Sequence, residues 1–169
     1  MDIAVDWRIE PASITHPDAA RLVEEVQQEY VARYGGRDET PLEAGYFEPP
    51  AGAFFVGYLE GRPVATGAWR LRRDVLVDGR DHSAEIKRMY VVPAARGRGL
   101  ARAMLAHLED TARAAGAEVM GLETGLAQPE ALALYESSGY TPIPSFGFYR
   151  ESPLNRCLAR SLLTPRPSA

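Results

Sequence analysis

Three arginines, Arg96, Arg98 and Arg102, stand around two glycines, Gly97 and Gly99, where a β-branched stretch gives way to an alanine- and leucine-rich run. Glycines at the end of a strand and the start of a helix let the backbone turn tightly and aim several N–H groups into one concavity. The helix N-terminus favours a nearby anion by about 0.3–1 kcal/mol, and guanidinium groups add charge and paired donors. The chemistry implied is the gripping of a phosphate. Two common phosphate loops do not fit. A dinucleotide fingerprint, GxGxxG, would need glycine where Arg102 stands, and no GK[ST] follows, as a nucleotide P-loop requires. His16, His82 and His107 are scattered and read as surface or structural residues. No metal site is predicted, and Cys157, the single cysteine, reads as a reduced, inert thiol.

The chain has 169 residues, 46% hydrophobic and 25% charged, which suits one domain over residues 1–163 with residues 164–169 as a disordered tail. A net charge of −4 argues against the broad basic face of a nucleic-acid binder, so the arginine cluster points to a small anionic ligand. No apolar run of about eighteen residues is present, nor a basic segment followed by a hydrophobic one, which predicts no membrane span and a cytoplasmic protein.

These residues need elements to position them. After an initial strand, apolar spacing from Ile14 to Tyr34 predicts a helix with Thr15 as its cap, ending before Gly35-Gly36. Turn formers from Gly36 to Pro50 predict a flap, with a helical turn around Leu42, Tyr46 and Phe47. Ala53–Leu59 and Pro63–Arg72, joined through "EGRP", read as an antiparallel hairpin. In the next strand, "SAEIKRMYVV", alternation puts Glu85, Lys87, Met89 and Val91 on one face and Ala84, Ile86, Arg88 and Tyr90 on the other. A helix from about Arg98 to Gly116, a strand in "AEVMGLETG", a helix over Pro129–Ser138 and strands near Tyr140–Ile143 and Leu154–Leu162 complete the order. The fold class predicted is α+β: a mixed, mostly antiparallel sheet of six to seven strands flanked by helices on both faces.

The run Arg96-Gly97-Arg98-Gly99-Leu100-Ala101 reads R-x-x-G-x-A and follows "MYVVP". It resembles the pyrophosphate loop of the Gcn5-related N-acetyltransferases (GNAT), with alanine in place of the commoner final glycine. "QPEALALYESSGY", Gln128 to Tyr140, is similar to the fourth-helix motif of the same family, and the likeness extends over about Val56 to Leu162. "EIKRM", "LETG", "LYESSGY" and "SPLNRCL" look like a subgroup of small bacterial acetyltransferases.

The resemblance implies acetyl-CoA as co-substrate, no metal, and direct acetyl transfer to an amine of a small molecule or peptide in a ternary complex. It implies that the "MYV" strand splays from "GLETG", that Met89, Tyr90 and Val91 contact the pantetheine arm, that Arg96, Gly97, Arg98, Gly99, Leu100, Ala101 and Arg102 hold the pyrophosphate, and that Gln128 lies near the cofactor. Tyr135 matches the residue assigned as general acid to the leaving thiolate. Glu85 and Glu123 match acidic positions used as general base. Each has a bland alternative: a core aromatic for Tyr135, an ion pair with Lys87 or Arg88 for Glu85, a strand-end carboxylate for Glu123. Acidic residues in the cleft would favour an amine, whereas Arg70, Arg72 or Lys87 there would favour an acceptor carrying a carboxylate. Phe146, Phe148 and Tyr149 are candidates to close the cleft. A non-catalytic acyl-CoA sensor is the alternative function, and a homodimer through the late strand and aromatic loop is the candidate assembly.

Overall fold

The computed structural model describes residues 6–167. Trp7–Pro11 forms an edge strand, β1. His16, not Thr15, caps the first helix, α1 (Pro17–Tyr34), because its Nδ1 accepts the Asp18 N–H at 3.1 Å and Pro17 needs no partner at the first helical position. A 3-10 turn at Ala44–Phe47 sits in the expected flap. β2 (Gly52–Leu59) and β3 (Arg62–Arg72) make the hairpin, with Glu60 at φ 51° and Gly61 at φ 75° in its two-residue turn. Then come β4 (Ser83–Val91), α2 (Leu100–Ala114), β5 (Val119–Gly125), α3 (Pro129–Ser137), β6 (Thr141–Ile143) and β7 (Asn155–Ser161).

The strands form one seven-stranded sheet in the order β1-β2-β3-β4-β5-β7-β6. The pair β4/β5, joined through α2, is parallel; the other pairs are antiparallel. Helices cover both faces, so the architecture is the mixed α+β sheet the sequence predicts. On one face Leu100, Met104, Leu105 and Leu108 of α2 pack with Ile86, Met120, Leu122 and Tyr135; on the other, Ala19, Leu22 and Val26 of α1 pack with Phe54, Val56, Ala68 and Tyr90. Burying such a side chain contributes about 1.5–3 kcal/mol. Among the described residues, no helix is long and apolar enough to cross a membrane.

β4 departs from simple alternation. Ala68 pairs with Lys87 and Thr66 with Tyr90, so Gly67 faces two residues, Arg88 and Met89, and Arg88 takes φ 54°. This bulge shifts the phase by one residue. Met89 and Val91 therefore join Ala84 and Ile86 against α2, while Arg88 and Tyr90 join Glu85 and Lys87 on the α1 side. The expectation that Glu85, Lys87, Met89 and Val91 share a face is corrected accordingly. The segment expected to be a loose tail is also anchored in part: Arg166 Nε meets Glu109 at 3.0 Å and its Nη2 donates to the Ala106 carbonyl at 2.8 Å. Ser168 and Ala169 lie outside the described residues.

Candidate active site

The register between β4 and β5 covers Ser83–Glu85 against Val119–Gly121 and stops there. Beyond it, past the bulge at Arg88, the two strands run on without shared ladder bonds, leaving a gap in the sheet's pairing toward their C-terminal ends. Met89, Tyr90 and Val91 line the β4 side of this gap. The Tyr90 hydroxyl reaches Glu25 at 3.4 Å, and the Val91 carbonyl accepts Arg96 Nε at 2.9 Å.

The glycine loop follows directly. Gly97 and Gly99 both hold φ 79°, a left-handed conformation that costs other residues about 1–2 kcal/mol. Gly99 caps α2 without a side chain, and the first α2 bond runs from Ala103 N–H to the Gly99 carbonyl. The N–H groups of Leu100, Ala101 and Arg102 therefore have no helical partner. A Cβ at either glycine would meet nothing within 4 Å, so both glycines sit on an uncrowded part of the chain. The buried Leu100 contributes only its backbone here. The arginines are unequal. Arg96 turns back to Glu29 at 2.8 Å, and Arg102 donates to the Ser138 and Ser137 hydroxyls at the C-terminal end of α3, at 3.0 and 2.9 Å. Arg98 is exposed and makes no side-chain bond among the described residues.

On the α1 side of the gap lies a cavity of about 410 Å³ lined by Tyr30, Tyr34, Asp38, Glu39, Glu123 and Tyr149, with Gln128 at its edge. Glu123 projects into it from β5. Its Oε2 accepts the Tyr149 N–H at 3.1 Å, and its Oε1 is buried without a partner. Burial pushes its carboxyl above the usual carboxylate range and the Glu85 charge adds to the rise, against the pull of Lys87 and the Tyr149 and Phe148 N–H groups. The chain passes so close over this carboxylate at Gly147 that a Cβ there would stand 2.0 Å from it. Gln128 donates to the Tyr34 hydroxyl at 3.1 Å.

Asp38 ties the cavity's other wall together. Arg88 Nη1 donates to its Oδ2 at 2.6 Å, while the Tyr149 hydroxyl at 2.8 Å and the Thr40 N–H at 2.9 Å donate to Oδ1. The same Tyr149 hydroxyl accepts the Glu39 N–H at 2.7 Å. Burial would raise the Asp38 pKa, but the Thr40 bonds and the Arg88 charge outweigh it and hold the group at about 2. Asp38, Glu39 and Tyr34 were not singled out from sequence. "RDET" after the double glycine carried the signal, since Asp38 folds back on Thr40 in an Asx-type turn.

The remaining candidates are set apart. Glu85 is 1% exposed and meets Arg72 Nη1 at 2.8 Å, Arg70 Nε at 3.2 Å and Lys87 Nζ at 3.4 Å. It does not line the cavity. Its partners include Lys87, as the ion-pair alternative has it, together with two β3 arginines rather than Arg88. Tyr135, 6% exposed, packs on the α2 side of the gap with its ring 5.6 Å from Tyr140. Its hydroxyl has no hydrogen-bond partner among the described residues, and burial pushes its pKa well up. Cys157 is buried in β7, and burial raises its thiol as well.

A sequence profile described as the Acetyltransferase (GNAT) family matches residues 19–140. An IAA acetyltransferase of Azospirillum brasilense is 32% identical over 84% of this chain and 89% of its own length. A solved Klebsiella pneumoniae protein, provisionally assigned as an acyl-CoA N-acyltransferase, superposes with a TM-score of 0.73 at 26% identity, covering 95% of this chain and 99% of that one. A Salmonella typhimurium protein solved with its cofactor acetyl-CoA shares the fold, with a TM-score of 0.67 at 22% identity over 92% of this chain and 94% of that one. The profile spans well over half of the chain, and the fold agrees along nearly all of it: the protein is an acyltransferase enzyme that belongs to the GNAT family.

Proposed function

We propose that the enzyme transfers acetyl from acetyl-CoA to an amine of a small molecule or peptide, directly, with both substrates bound at once. The observation that carries this reading is the pair of left-handed glycines presenting bare α2 N–H groups at the mouth of the gap between β4 and β5. Helix donors left without helical partners beside two uncrowded glycines fit a diphosphate, with the exposed Arg98 placed to add charge. When bound, acetyl-CoA supplies the acetyl thioester. Val91, whose carbonyl is taken by Arg96, contributes less to the pantetheine arm than the β4 backbone before it.

An alkylammonium of pKa about 10.4 costs roughly 4 kcal/mol to deprotonate near neutral pH. Glu123 is the group suited to take that proton: it lines the cavity from β5, and its raised pKa narrows the mismatch with the amine. Glu85, enclosed by three cations, holds Lys87 and the β3 arginines in place. Tyr135 approaches from the opposite face, so the amine and the leaving sulfur separate across the gap. A phenol whose pKa burial has raised keeps its proton and serves the sulfur as a hydrogen-bond donor.

Thiol release from acetyl-CoA, measured across a panel of amines, tests the reading. Amine-dependent release is expected from the native enzyme, with turnover reduced in Tyr135→Phe at little change in acetyl-CoA affinity. Unchanged turnover in that variant would remove Tyr135 from the mechanism.

A further inference from the structure

The cavity wall carries a specific charge pattern. Arg37 is spent on both carboxylate oxygens of Glu24, at 2.8 Å each, and Arg88 is spent on Asp38. Lys87, Arg70 and Arg72, the cations on which a substrate carboxylate would depend, close on Glu85 and do not line the cavity. Two carboxylates are left unmatched. The Glu123 Oε1 is buried under Gly147 without a partner, and the exposed Glu39, whose backbone the Tyr149 hydroxyl fixes, has a carboxylate that makes no hydrogen bond or ion pair among the described residues. Between them the walls are phenolic: Tyr30, Tyr34 and Tyr149.

Two further apolar side chains stand next to the lining residues Leu154 and Tyr149: the Leu126 N–H donates to the Leu154 carbonyl at 3.0 Å, and Phe148 packs edge-on against Tyr149 at 4.9 Å. Leu126, Phe148 and Leu154 are between 44% and 48% exposed. A carboxylate entering beside Glu39 and Glu123 would meet like charge, whereas an ammonium would be attracted by both.

We infer that the acceptor is a primary amine on an apolar or aromatic body, with no carboxylate beside the amine, and that Glu39 is a specificity-determining residue that receives the ammonium on its way to Glu123. This rests on reading the cavity as the acceptor site. The amine enters as the ammonium and gives one proton to Glu123; the neutral nitrogen attacks the acetyl carbonyl, the carbon–sulfur bond breaks as the amide forms, and the second N–H proton ends on the leaving sulfur, by way of the Tyr135 hydroxyl, to give the coenzyme A thiol.

Thiol release with acetyl-CoA should be measured on matched pairs: 2-phenylethylamine against phenylalanine, and tryptamine against tryptophan. The amine of each pair is expected to exceed its amino acid by about 100-fold in kcat/KM. Glu39→Gln should raise KM for the amines about 3–10-fold with kcat and coenzyme A affinity unchanged. Equal or better use of the amino acids would overturn the inference while leaving amine acetylation intact, as would an unaltered KM in Glu39→Gln. Coenzyme A binding with no thiol release on any compound would remove amine transfer itself, and this inference with it.

Discussion

The glycine loop draws its donors from seven consecutive residues, Arg96–Arg102, whereas the cavity wall is assembled from distant segments, with hydrogen bonds from Gln128 to Tyr34 across 94 residues and from Tyr149 to Asp38 across 111. The loop acts through backbone geometry, so its function depends on which φ angles the chain adopts. The cavity acts through side chains that two loops must bring together. The first is set locally; the second exists only once the sheet and both loops have closed. Substitutions in the two regions should therefore separate donor binding from turnover.

The largest expected effect lies on the cavity side. Glu123→Gln removes the proton acceptor and should lower kcat by about 10²–10³-fold at neutral pH, with coenzyme A affinity retained in a calorimetric titration. Next comes the loop. The double variant Gly97→Ala, Gly99→Ala forces side chains into left-handed conformations at a cost of about 1–2 kcal/mol each, and should weaken coenzyme A binding about 10-fold or more, while kcat at saturating acetyl-CoA changes far less. Arg98→Ala should weaken coenzyme A more than Arg96→Ala, because Arg96 is already held by Glu29.

A smaller effect tests how the cavity is clamped. Tyr149→Phe loses the hydroxyl bonds to Asp38 and Glu39 but keeps the N–H that holds Glu123. Acceptor KM should rise about 3–10-fold with coenzyme A affinity unmoved. An equal loss of coenzyme A affinity would mean that the clamp shapes the whole fold rather than the acceptor side.

The smallest effects are in stability, and two carboxylates of the same cavity should show opposite signs. The folded pKa of Glu123 is raised, so its contribution is fully present below the ordinary value of 4.5 and is lost as pH rises through the folded value. The melting temperature of Glu123→Gln relative to the native protein should therefore climb with pH through that window. Asp38 is depressed from 3.8 to about 2, so its contribution is present above 3.8 and is lost as pH falls through about 2. Asp38→Asn should accordingly be the less stable partner at neutral pH, with the gap closing in acid.

The same contrast explains what the sequence disclosed. The β4–α2–β5 unit and its loop were legible because each is signalled by adjacent residues: Pro93 after the strand, Gly97 and Gly99 before the helix, and an apolar stripe from Leu100 to Ala112. The hairpin was legible from its short turn. The bulge at Arg88 was not, because it arises where Gly67 of β3 faces two β4 residues, and no alternation within "SAEIKRMYVV" reports its neighbour's register. Missing it misassigned Met89, Val91, Arg88 and Tyr90 to faces. Glu123 was found through its motif, but its unpartnered oxygen and its cover at Gly147 depend on a loop more than twenty residues away. The anchoring of Arg166 to Glu109 likewise needed the tertiary structure, since a short segment rich in proline carries no periodicity of its own.

The central claim is that backbone donors at the glycine loop bind the donor substrate while Glu123 handles the acceptor's proton. Calorimetric titration of coenzyme A into the native enzyme, Glu123→Gln and the Gly97→Ala, Gly99→Ala variant tests it directly. The account predicts near-native affinity for Glu123→Gln and an affinity lowered about 10-fold or more for the double variant, provided that both melt as folded proteins. Native affinity in the double glycine variant, or an equal loss in both, would contradict it.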